Sequence, residues 1–188
     1  MREIPEGCIT NMRTAMTALG FDMSNQHFAK TPERFLKYLE AYHRPYDPAE
    51  DLGTSFQVEG DFHAMVVESG IPFTGVCAHH LIPFIGTATI GYVPRGRIVG
   101  LSKLVRVIEG IAHRLPSTQE SISDDTVDAI MQHLGPVGAM VVITAEHGCM
   151  GCRGVARPGI VTATSSVRGV FRDVPQARME FFELARRQ

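Results

Sequence analysis

Four cysteines among 188 residues are too few and too clustered to staple a chain of this size with disulfides. No apolar run approaches the roughly 20 residues of a membrane span, so no membrane association is expected. An excess of charge is missing too. Lys and Arg total 18 against 20 Asp and Glu, and a net charge of -2 leaves no electrostatic footprint for nonspecific nucleic-acid binding. The first residues, Met1 to Glu6, carry acids and no apolar h-region, so a signal peptide is not expected. Repeats, low-complexity tracts and long linkers are likewise absent. What remains is a chain 44% hydrophobic and 20% charged, enough for one domain with a sizeable core. The expectation is a reduced, cytoplasmic protein whose clustered thiols bind metal, with Cys8 apart as an ordinary thiol.

The thiols that matter lie in two clusters. Val76-Cys77-Ala78-His79-His80 places Cys77 and His80 in C-x-x-H spacing, so one short turn can bring a sulfur and a nitrogen onto one metal. Zinc takes Cys and His in tetrahedral geometry, which makes this half of a site. The other half is sought in His147-Gly148-Cys149-Met150-Gly151-Cys152, at the end of an apolar run. If the backbone stays extended beyond His147, Cys149 and Cys152 project to opposite sides. Gly151 permits a turn that would bring both thiols to one metal, and C-x-x-H plus C-x-x-C would then make a closed structural site.

Around these clusters the chain reads as α+β. Ile9, Met12, Met16 and Leu19 share a helical face that stops at Gly20. A second helix starts at Thr31-Pro32-Glu33 with Thr31 as its cap. Its Arg34 and Lys37 point the same way, either as a solvated face or as a phosphate clamp. Residues 44–60 read as a polar connection. A strand runs from Phe62 to Glu68 and breaks at Gly70-Ile71-Pro72. Another runs from Phe84 to Val93, turns at Pro94–Arg97 and starts back at Ile98. Helices follow with Ser102 and Ser117 as candidate caps. The first carries an apolar stripe of Leu104, Val105, Ile108, Ile111 and Leu115, and the second stops at Gly135. Strands at 139–145 and 160–171 and a helix at 173–187, with Phe181, Phe182 and Leu184 inward, complete the order. The fold class is α+β, mainly antiparallel sheet with helices packed on one face. An N-terminal helical region, 1–60, and a sheet region, 61–188, form one structural unit.

In sequence the chain resembles the GTP cyclohydrolase I family of the tunnelling-fold superfamily. The matching blocks are Thr31-Pro32-Glu33-Arg34, Cys77-Ala78-His79-His80, Gly100-Leu101-Ser102-Lys103-Leu104-Val105-Arg106, Gln119-Glu120, His147-Gly148-Cys149, Arg153-Gly154 and Thr164-Ser165. They run from about Thr31 to the last helix, and their order makes the resemblance specific. It implies a catalytic Zn2+ held by Cys77, His80 and Cys149, with the fourth position open. It implies hydrolysis of GTP at C8, release of formate and formation of 7,8-dihydroneopterin triphosphate. It also implies a homodecamer with active sites at subunit interfaces.

Roles follow residue by residue. His79 and His147 flank the ligands and suit proton transfer, since imidazole titrates near neutrality. The resemblance makes Glu120 the guanine-reading carboxylate, with Gln119 beside it. The bare sequence offers another reading, a capping box from Ser117 to Glu120. Ser102, Lys103, Arg106 and Arg153 match triphosphate-binding positions, and Arg34 and Lys37 would come from a neighbouring subunit. Three features depart from the family. Ala78 stands where Glu is usual, Cys152 is an extra thiol, and the segment from Thr118 is one residue longer. Ala78 bears on the steps after ring opening, and a paralogue that opens a purine nucleotide for another pathway, such as deazaguanine synthesis, is the alternative enzyme reading. Cys152 leaves room for a non-catalytic module with a structural Cys3His zinc.

Overall fold

The computed structural model describes residues 3–58 and 64–186. The chain divides into two compact units, Met1–Arg44 and Pro45–Gln188. The first holds helices α1 (Glu6–Ala18) and α2 (Thr31–Ala41). Met16 is buried there while Ile9 and Met12 are half-buried, as one helical face requires. Leu19 falls beyond α1 and is 77% exposed. Thr31 does not cap α2. Lys30 holds that position, and the Thr31 hydroxyl donates to the His27 carbonyl.

The second unit runs α3 (Ala49–Leu52), β1 (Ser55–Gln57), β2 (Val66–Val76), β3 (Pro83–Val93), β4 (Arg97–Val99), α4 (Leu101–Arg114), α5 (Gln119–Leu134), β5 (Gly138–His147), α6 (Gly148–Gly151), β6 (Val161–Gly169), α7 (Val170–Asp173) and α8 (Pro175–Ala185). Its main sheet has the order β2-β3-β5-β6, antiparallel throughout. Strand side chains alternate between faces. Ala139, Val141, Ile143 and Ala145 of β5 therefore join one core, with Leu104, Ile108, Ile122 and Ile130 of α4 and α5. Met140 turns the other way, into a smaller cluster with Phe171 and Phe181. Full burial of each such branched or aromatic side chain contributes about 1.5–3 kcal/mol. The α+β architecture with mainly antiparallel sheet is as expected, and the two long helices share one face.

Several local readings are corrected. The described part of residues 44–60 is not merely a connection. Asp47 accepts from the Ala49 N–H and starts α3, whose Leu52 is fully buried, and β1 pairs with β4. Gly70-Ile71-Pro72 does not end β2. The strand absorbs them through a register shift between Glu68 and Ile71. Phe62 lies outside the described residues. Strand β6 ends at Gly169, short of Phe171. Gly100, not Ser102, caps α4, and Thr118, not Ser117, caps α5 by accepting from the Ser121 N–H. Leu115 is 45% exposed beyond α4, and Phe182 is 40% exposed. Gly135 does end α5, in the left-handed conformation that favours glycine. Among the described residues no helix is long and apolar enough to cross a membrane.

Candidate metal centre and cleft

Three backbone connections assemble the site. Strand β2 delivers Cys77 at its end. The Leu81 N–H donates to the Cys77 carbonyl, and the Cys77 N–H donates to the Ile82 carbonyl, closing a tight turn. Leu81 holds a φ of 54°, a left-handed conformation that costs a branched residue and is kept here by those bonds. The segment before α5 is then stitched to this turn. The Ser117 N–H donates to Val76 and the Ala78 N–H donates back to Ser117, which puts Gln119 and Glu120 beside the turn. Finally, Phe84 pairs with His147 across β3 and β5, so α6 and Cys149 follow directly.

The result is a donor set. Cys77, His80 and Cys149 present ligand atoms that all lie within 4.8 Å of one another. Cys77 is buried, Cys149 half-buried and His80 exposed. The Cys77 sulfur lies 3.8 Å from His80 Nδ1 and 3.7 Å from His79 Nδ1, so that distance alone does not separate the two imidazoles. Reach to Cys149 does, because His79 is outside the three-donor group. Burial, then the adjacent Cys77 sulfur, pushes the Cys149 thiol up, and Arg153 opposes the shift. A dication relieves both effects by binding thiolates, so the donor chemistry fits a soft-ligand metal such as zinc.

Cys152 stays outside the donor group and is exposed. The backbone beyond His147 is not extended, however. It turns helically from Gly148 to Gly151, so the argument from opposite strand faces does not apply.

His147 stacks on Phe84, with ring centroids 4.6 Å apart and planes 15° off parallel. Its Nε2 lies 2.8 Å from Gln119 Oε1. Gln119 is 1% exposed, and its nitrogen contacts the Ile143 and Thr162 carbonyls at 3.1 and 3.0 Å. Carbonyls only accept, so this end of the amide is the NH2 and Oε1 must accept from His147. His147 therefore carries its proton on Nε2. Burial pushes its pKa down while the Glu120 charge opposes, which favours the neutral ring.

Glu120 is exposed at the second position of α5 and lines the same cleft as His79, His147 and the donors, a space of about 220 Å³. It takes no part in the helix cap, so the capping-box reading is set aside. Ala78 is exposed, and its backbone N–H bonds to Ser117.

Three of the expected triphosphate residues do not line this cleft. Ser102, Lys103 and Arg106 occupy the start of α4, whereas His113 near its end contacts the Thr74 carbonyl beside the metal turn. At about 1.5 Å per residue, Lys103 is roughly 15 Å along the helix from His113. None of the three lines the cleft of their own chain. Arg153 is exposed between α6 and β6. Arg34 and Lys37 are exposed on α2 in the first unit, where Lys37 pairs with Glu33. Sequence reasoning missed Asp51, which lies 3.1 Å from Lys103 Nζ and 3.7 Å from Arg106 Nη1. Asp47-Pro48-Ala49-Glu50 was the available signal, since an Asp before Pro with Glu following starts a helix.

Comparison with known proteins fits this geometry. The family model described as GTP cyclohydrolase I matches residues 9–186. A protein named GTP cyclohydrolase 1 from Pelotomaculum thermopropionicum is 42% identical over 180 residues, covering 94% of each chain. Its namesake from Bacillus subtilis is 42% identical over 181 residues, covering 94% of this chain and 93% of its own. A match over nearly the whole chain means that the chain belongs to the GTP cyclohydrolase I family.

Proposed function

We propose that the chain hydrolyses GTP at C8, releases formate and forms 7,8-dihydroneopterin triphosphate, the first pterin of tetrahydrofolate and pterin synthesis, in the cytoplasm. The observation that carries this is the grouping of Cys77, His80 and Cys149 in one cleft with His79, His147 and Glu120. Cys77, His80 and Cys149 would hold zinc, which would supply Lewis acidity and would lower the pKa of a water towards about 7. The chain's own groups do the rest. Glu120 accepts from the guanine N–H donors and orients the base. His147 has its Nε2 committed to Gln119, so its Nδ1 is the atom that exchanges a proton with substrate. Gln119 works as a positioning residue. His79, within the metal turn and lining the same cleft, is the second proton carrier.

The triphosphate is taken by Ser102, Lys103, Arg106 and Arg153, with Arg34 and Lys37 from another subunit. The separation of Lys103 and Arg106 from their own cleft supports active sites shared between subunits, and the family resemblance makes the assembly a homodecamer. The deciding experiment incubates the zinc-loaded protein with GTP and identifies products by mass. Formate together with dihydroneopterin triphosphate is expected. Formate with a ring-opened nucleotide and no pterin would point to the paralogue reading. Unchanged GTP would leave only a binding module.

Glu120→Ala is expected to abolish turnover while metal content holds and the melting temperature stays close to the parent's. The side chain is exposed and caps nothing, and such substitutions usually stay within about 0.5 kcal/mol. Early unfolding with normal specific activity would return Glu120 to a purely structural role.

A further inference from the structure

Lys103 and Arg106 are not free-standing cations. Each reaches the same oxygen of Asp51, at 3.1 and 3.7 Å. The other Asp51 oxygen accepts from the Tyr46 hydroxyl at 3.1 Å. Asp51 is 9% exposed, and α3 holds it rigidly because neighbouring Leu52 is fully buried in the main core. Tyr46 is fixed in turn. Its ring lies against Gly110 of α4, where an added Cβ would come within 2.5 Å of ring atoms. Tyr46, Asp51, Lys103 and Arg106 thus form a small built network, set on α3 and the start of α4.

An acid beside cations meant for a polyanion looks counterproductive, since it cancels one of two positive charges. Its value lies in order. A free lysine samples many rotamers, and a ligand that must order it loses affinity. A lysine ammonium has three donors. One is spent on Asp51, and two remain for phosphate oxygens. We propose that Asp51, held by Tyr46, is a positioning residue that aims Lys103 and Arg106 at the triphosphate of GTP. This rests on the reading of those two cations as triphosphate ligands.

Asp51→Asn keeps the shape and removes the charge. The expected result is a KM for GTP raised about ten-fold with kcat within about two-fold of the parent. Two inhibitors locate the effect. Inorganic triphosphate should weaken with GTP, whereas guanosine, which has no phosphates, should inhibit parent and variant equally. Adding Asp51→Asn to Lys103→Ala should raise KM by less than it does alone, because the two act through one contact. Tyr46→Phe leaves the ring on Gly110 and should shift KM the same way by a smaller factor. It carries the test if Asp51→Asn does not fold. Equal weakening of guanosine and triphosphate, fully multiplicative effects of the double variant, or a lower KM would each overturn the inference. If Lys103→Ala leaves triphosphate inhibition unchanged, the phosphate reading of Lys103 has failed instead.

Discussion

Cys149→Ala is expected to lose both bound zinc and turnover, while Cys152→Ala keeps both. The two thiols are three residues apart on one helical turn, so the contrast is sharp. Cys77 and His80 come from a single tight turn and approach the metal from one side. Cys149 is the donor that reaches it from the β5 side, and removing it leaves a two-ligand site. Zinc sites that do chemistry hold three protein ligands and an open position, so two donors are too few. Folding should survive, because Cys149 is only half-buried and sits outside the fully buried core. Cys152 is exposed and lies outside the donor group. Metal analysis with circular dichroism checks both variants. X-ray absorption at the zinc edge gives an independent reading: two sulfurs with lighter atoms are expected. Three sulfurs and one nitrogen, or zinc loss in Cys152→Ala, would establish the closed structural site.

The sequence made some of this legible and hid the rest for physical reasons. Helix α5 and its Gly135 terminus were readable, because periodicity and a left-handed cap are local properties. Strand β5 was readable because a strand covered on both faces is apolar almost throughout. The C-x-x-H spacing likewise carried its own geometry. By contrast, Gly70-Ile71-Pro72 looks like a breaker until β3 is present to hold the strand across a bulge. The register that pairs Phe84 with His147, and so brings the second cluster to the first, is a long-range fact with no local signature. The same holds for the Ser117 backbone bonds that place Glu120 in the cleft. Asp51 was hidden doubly. Its helix is only four residues long, and its partners lie some fifty positions away on α4.

His147→Ala should slow the reaction by a factor on the order of 10²–10⁴, the usual worth of a positioned proton carrier, with metal content near normal. The magnitude follows from how tightly the ring is held. Phe84 is 1% exposed and flat against the imidazole, so His147 cannot tilt without disturbing a buried ring. Gln119 fixes the other coordinate through Nε2, and its own amide is anchored on two carbonyls of β5 and β6. One tautomer and one orientation result, with Nδ1 left to accept or deliver a proton. Burial pushes the His147 pKa down and so favours an unprotonated Nδ1, ready to act first as an acceptor. Alanine removes the proton carrier and leaves the three metal donors untouched. The loss should therefore fall on kcat, with KM for GTP little changed, since the base and phosphate contacts are proposed for other residues. Stability should drop by about 1 kcal/mol, the order expected for one aromatic stack. Single-turnover kinetics with GTP, read beside zinc content, tests this directly. A variant with full zinc and parental turnover would remove His147 from the mechanism, and the anchored Gln119 contact would then serve only the packing of β5.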